Sequence, residues 1–176
     1  MGRIKGQDGD ALDLAMGVLL WITCTKRQLT TSELQHALAV EQGVPKLDKE
    51  NIPQVDDMVS VCAGLVVVDE ESSIIHLVHY MTQDYFEARK KYWFPDAESN
   101  FTIICVTYLS FNYTFESGPC LTDEEFEARL QQNPLYNYAA QNWGYHAHAA
   151  ATKLDQLILD LLKSDSKVFA SSQALI

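Results

Sequence analysis

Apolar positions in the first part of the chain recur at a spacing of three and four, then gather into two short runs, then return to helical spacing. Leu12, Ala15, Met16, Leu19 and Leu20 predict an amphipathic helix from Ala11 to Thr25. Lys26 and Arg27 stand near its C-terminal end, where cations suit the helix dipole. Thr30-Thr-Ser-Glu33 has the form of a capping box, a hydroxyl followed three residues later by a carboxylate, and opens a second helix with Leu34, Ala37 and Leu38. Gly43, Pro45 and Pro53 mark a loop from Glu41 to Pro53. Val55, Met58, Val59 and Cys62 form the stripe of a third helix, and Gly64 suits its C-terminal cap. Leu65 to Val68 and Ile74 to His79 then read as strands around the polar turn Asp69–Ser73.

Three helices followed by a hairpin is the order of a winged helix, and it predicts that domain over 11–81. The pattern from Thr82 to Ile176 predicts a helical connector, so the fold class is mostly α with one hairpin. Thr82 to Trp93 reads as one helix, which Pro95-Asp96 stops. Phe101, Ile104, Cys105, Tyr108 and Leu109 form another stripe. Thr122-Asp-Glu-Glu125 is a second capping box, before Phe126 and Leu130. Pro134 fits a first helical turn ahead of Leu135, Tyr138, Ala139 and Trp143, and Leu154, Leu157, Ile158, Leu161 and Leu162 make a last helix. The cluster Tyr85, Phe86, Tyr92, Trp93 and Phe94 is expected as core between the two halves, and Arg89-Lys90-Lys91 as a solvated helix face.

Composition narrows the function classes. The 176 residues carry a formal net charge of −11, which repels phosphate backbones. The third helix holds Asp56 and Asp57 with no Lys or Arg, and the wing tip is Asp69-Glu70-Glu71, where a DNA-binding wing is basic. No nucleic-acid partner is expected. Cys24, Cys62, Cys105 and Cys120 form no C-x-x-C pair and read as inert thiols. The polar start has no signal-peptide pattern and the apolar runs are too short to span a bilayer, so the expectation is a cytoplasmic protein without a membrane partner. There is no G-x-S-x-G elbow, so no catalytic residue is assigned. His76 with His79, and His146 with His148, lack further ligands, so no metal is expected.

The stretches Leu29–Ala39, Val59–Leu65, Leu77–Tyr80 with Gln83–Phe86, and Asn133–Ala140 with Asn142–His146 resemble one group of fungal proteins. These are NACHT-type, NLR-like signal-transduction ATPases whose C-terminal parts are ankyrin repeats. The similar piece is the winged helix after the ATPase domain together with the helical connector, a module named after GPI inositol-deacylase. The resemblance runs from Ala11 to Ala150, and 151–176 looks like the start of the repeat-side helices. It implies a histidine at the end of the hairpin that contacts the β-phosphate of bound ADP and holds the off state.

Here that position is His79, held by packing of Leu65 to Val78 and lying in Val78-His79-Tyr80 where the family motif reads Met-His-Asp. The acidic third position is lost to Tyr80, so any second role of that carboxylate is lost with it. No G-x-x-x-x-G-K-[ST] loop is present, so no cofactor is expected in this chain, and ADP or ATP is implied only for the full-length protein. The chain looks like a fragment or truncated product of a larger switch. The resemblance implies a non-enzymatic coupling module whose partners in cis are the nucleotide-binding domain and the ankyrin-type repeats. The alternative is a stand-alone winged-helix adaptor for protein or nucleic acid.

Overall fold

The computed structural model of the chain describes residues 2–150 and 154–175, apart from the side chain of Tyr113. It forms two compact units, 1–38 with 51–95, and 39–50 with 96–176. Residues 151–153 and Ile176 of the expected connector lie outside the described residues. Among the described residues no helix is long and apolar enough to cross a membrane.

The first unit opens with the short helix α1 (Gly2–Lys5) and continues through α2 (Gly9–Cys24), α3 (Thr31–Leu38) and α4 (Val55–Val61) into strands β1 (Val66–Asp69) and β2 (Ile74–Leu77). Asp8 caps α2 by accepting from the Ala11 N–H at 3.0 Å, so the helix starts before the apolar stripe does. The stripe is also turned: Val18 and Trp21 are buried with Ala15 and Leu19, while Met16 and Leu20 are half-buried. Gly17 permits a close approach to α3, because a Cβ there would stand 2.8 Å from Leu38 Cδ2.

The capping box of α3 closes reciprocally. The Glu33 N–H donates to Thr30 Oγ1 at 3.2 Å, and the Thr30 N–H donates to Glu33 Oε2 at 2.9 Å. Arg27 adds a bidentate pair to the same carboxylate at 2.9 and 2.6 Å, tying the exit of α2 to the start of α3. Thr30 also forms an antiparallel bridge with Ile74, and the Thr31 N–H donates to Ser73 O at 2.7 Å. The segment before α3 thus extends the hairpin by one bridge, which fastens the wing to the helices.

After α4 the chain reverses through two left-handed residues, Ala63 (φ 52°) and Gly64 (φ 82°). Only the second is free of a Cβ penalty. Strand β1 pairs antiparallel with β2 in the register Val66↔Leu77, Val67↔His76, Val68↔Ile75 and Asp69↔Ile74. Val66, Ile75 and Leu77 are buried, while Val67 is 41% exposed, so the hairpin covers the core with one face only. In the turn, Asp69 Oδ1 accepts from the N–H groups of Glu71 and Ser72. The Glu71 N–H first, and then the hydroxyl and N–H of Ser72, hold the Asp69 carboxyl below its ordinary pKa.

The single helix expected over Thr82–Trp93 is two, α5 (Tyr80–Ala88) and α6 (Lys90–Trp93), broken at Arg89 (φ −121°, ψ 20°). In an unbroken helix, residues eight apart stand about 12 Å apart along the axis. The break brings the rings of Phe86 and Phe94 to 6.0 Å, and both are buried. Both rings belong to the first unit, which therefore runs to Pro95, past the expected end of the wing at Met81. Of the five aromatics expected as core, only Phe86 and Phe94 are buried; Tyr92 is 72% exposed.

The second unit is built on α7 (Ala97–Leu109), which packs along α10 (Tyr136–Ala149) and also meets α11 (Asp155–Leu162). Phe101, Thr102 and every residue from Cys105 to Leu109 are buried, so α7 has apolar neighbours nearly all round rather than along one stripe. The helices α8 (Asn112–Phe115), α9 (Asp123–Gln132) and α12 (Asp165–Gln173) complete it. In α9 the Thr122 hydroxyl accepts from the Glu125 N–H as expected, but Glu125 reaches back to the Leu121 N–H at 2.9 Å instead of to Thr122. Helix α10 begins after Pro134-Leu135 rather than at the proline. Polar clamps hold α12: Lys167 Nζ donates to Ser110 O at 2.7 Å, Gln173 bonds both the N–H and the carbonyl of Cys120, and the Tyr136 hydroxyl donates to Ala170 O.

Candidate functional site

His79 lies two residues beyond β2, as the residue that opens α5, and its backbone is extended (φ −126°, ψ 135°). The Val78 N–H still donates to Leu65 O, which continues the hairpin by one more bond. The His79 carbonyl then accepts from the N–H groups of Thr82 and Gln83 and starts the helix. The expected strand end is therefore a helix start. The imidazole is exposed and does not cap α5.

That helix end is electrostatically open. No acidic residue stands in the first turn of α5, whereas α9 carries Asp123, Glu124 and Glu125 behind a threonine cap. The first N–H groups of a helix point outward with partial positive charge, and without a cap or an acid they remain available to an anion. The rim is apolar: Val78 is 41%, Tyr80 78% and Met81 68% exposed. His76 forms no cluster with His79. It pairs across the hairpin with Val67, and its Nδ1 lies 3.0 Å from Leu77 O. The first unit holds a small cavity of about 30 Å³, lined by Trp21, Leu29, Leu34, Ile75 and His76 among others, with room for about one water.

The second unit holds a constellation that sequence reading missed. His146, on α10, is fully buried; its Nδ1 lies 2.6 Å from Glu98 Oε2 on α7, and its Nε2 lies 2.9 Å from the Tyr138 hydroxyl. A carboxylate accepts only, so Nδ1 carries the proton. With the ring neutral, Nε2 then accepts from Tyr138, and each partner is satisfied. Phe101 packs on the ring at 4.8 Å between centroids. The trio ties α10 to α7 through the hydrogen bonds of His146. Its only sequence trace was a histidine and a tyrosine on the apolar side of one helix. Pairing His146 with its exposed neighbour His148 hid that trace.

Cys24, Cys62 and Cys105 are buried thiols, and Cys120 is half-buried. Burial pushes the Cys62 thiol up to about 12 and Cys105 higher still, so neither forms a thiolate near neutral pH. Among the described residues no three His, Cys, Asp or Glu side chains are grouped to hold a metal ion.

The family model described as GPI inositol-deacylase, winged helix domain, matches residues 6–104. No curated protein and no solved structure matches the chain. The match contains α2, α3, α4, the hairpin and α5 in winged-helix order, and it covers more than half of the sequence. The chain therefore belongs to the family of the GPI inositol-deacylase winged helix domain.

Proposed function

We propose that this chain is a non-enzymatic regulatory module of a NACHT-type signal-transduction ATPase in the cytoplasm. It packs on the nucleotide-binding domain and relays the nucleotide state to C-terminal ankyrin-type repeats. His79 senses ADP, which the upstream domain binds.

One observation carries the reading. His79 presents an exposed imidazole at a helix end that has neither a side-chain cap nor an acid in its first turn. An imidazole N–H and the first N–H groups of a helix are suited to the same ligand, a phosphate oxygen. The exposed Val78, Tyr80 and Met81 around it provide apolar area for a covering domain. The resemblance to the ATPase family adds the direction of the switch, with ADP holding the off state. The acidic wing tip and third helix weigh against an independent nucleic-acid adaptor.

The test uses the full-length protein loaded with a fluorescent ADP. His79→Ala is expected to speed ADP dissociation by about tenfold, the loss of one charge-assisted bond of about 1.4 kcal/mol. Because the side chain is exposed, the melting temperature should not move. Unchanged ADP dissociation in a normally folded variant rejects the sensor role.

A further inference from the structure

The basic run Arg89-Lys90-Lys91 is more ordered than a solvated helix face. The Arg89 guanidinium lies 4.5 Å from the centre of the Tyr85 ring, and Lys5 Nζ lies 4.6 Å from the centre of Trp93. The rings of Tyr85 and Trp93 stand 6.4 Å apart, and Tyr92 meets Trp93 edge-on at 5.1 Å. Two segments far apart in sequence, at Lys5 and at 85–93, therefore form one continuous cationic and aromatic surface within the first unit. Lys90 turns inward and donates to Cys24 O at 3.5 Å, which leaves Lys91 exposed beside Tyr92.

We propose that Lys5, Tyr85, Arg89, Lys91, Tyr92 and Trp93 form a docking surface for a short acidic segment of another protein. Four observations point to that partner. First, none of these cations makes an ion pair among the described residues, although the chain has 24 acidic groups against 13 basic ones. The acids nearest in sequence do not neutralise them; Glu87 instead accepts a hydrogen bond from Gln83 at 2.6 Å. Second, ring stacking already restrains Arg89 and Lys5, so part of the ordering entropy that binding costs has been lost before a partner arrives. Third, Tyr, Trp and Arg are the residues that dominate binding energy in protein interfaces, and here Tyr92 is 72% exposed. Fourth, Trp93 Nε1 is buried without an acceptor, an unused donor beneath the patch.

The surrounding charge selects the length and kind of partner. A nucleic acid carries phosphates at short, regular intervals and extends from a small patch onto the acidic remainder of the surface. A short Asp/Glu-rich segment needs only the patch, so few of its charges meet the acidic remainder that would repel them. Nothing in this proposal depends on His79, and its failure leaves the sensor reading as it stands.

The test titrates the full chain with a peptide of about twelve residues containing Asp, Glu and two Leu, with its Asn/Gln counterpart and with a single-stranded oligonucleotide of similar length. The acidic peptide is expected to bind, and to bind more weakly as salt rises; the neutral peptide should not. Tyr92→Ala and the pair Arg89→Glu with Lys91→Glu should each weaken binding by about tenfold or more without shifting the melting temperature. Equal binding by the variants overturns the proposal, as does absence of binding. So does an oligonucleotide that binds as tightly as the peptide. Concentration-dependent self-association abolished by Glu70→Lys with Glu71→Lys would assign the patch to a second copy's wing tip and also overturn it.

Discussion

His146 shows how a single side chain can fix the packing of two helices. It is fully buried, yet it leaves no polar atom without a partner, because Glu98 accepts a hydrogen bond from Nδ1–H and the Tyr138 hydroxyl donates to Nε2. A buried polar group is costly only when a partner is missing. Removing the ring with His146→Ala takes the His146 hydrogen bond from the buried Tyr138 hydroxyl and opens a cavity, and the expected loss is about 3 kcal/mol in denaturant unfolding. Tyr138→Phe removes one bond and should cost about 1 kcal/mol. An equal, near-zero cost for both would show that the trio does not hold α10 to α7. His79 is the opposite case, with an exposed ring that no local bond restrains. The hairpin and following helix that locate His79 are a local pattern in the sequence, whereas its sensor role is implied by the resemblance to the ATPase family. The sequence could not name the trio, because Glu98 stands 48 positions from His146 and only the fold brings them together.

Among the elements, the capping box of α3 is the joint between helices and wing. Glu33 accepts from Thr30 and from both Arg27 donors, while Thr30 and Thr31 reach the far strand of the hairpin. Glu33→Ala should cost about 2 kcal/mol, about one for the cap and the rest for the shared pair with Arg27. Hydrogen exchange should then speed at Thr31, whose N–H is held by Ser73 O. Unchanged exchange at Thr31 would show that the wing is fastened without the box. The box itself was legible, since its four residues are consecutive. Its second task was not, because nothing at Thr30 in the sequence indicates Ile74. The break of the expected Thr82–Trp93 helix has the same origin: helical spacing continued through Arg89, but burying Phe86 and Phe94 together required a bend there.

At the scale of the whole molecule, the two units differ in how they form cores. The first wraps helices around one face of a hairpin and is sealed by Phe86 and Phe94. The second surrounds α7, which is buried nearly all round. A chain ending at Pro95 is expected to keep a cooperative thermal transition, whereas one ending at Met81 loses both phenylalanines, each worth about 2 kcal/mol of burial, and should melt without cooperativity. Circular dichroism of the two truncations separates a unit ending at Pro95 from one ending at Met81. The sequence alone determined the order of helices and hairpin, the capping boxes and the position of His79. Each is set by neighbours within a few residues, where periodicity, caps and turn chemistry act. It also carried the acidic wing, because charge needs no fold to be counted. Only the tertiary structure decided that His79 opens a helix with an uncapped end, that Glu98, His146 and Tyr138 meet, and that Lys5 joins the aromatic patch of α5 and α6. These contacts span tens of residues, and their partners are chosen by competition for burial across the whole core, which no local spacing records.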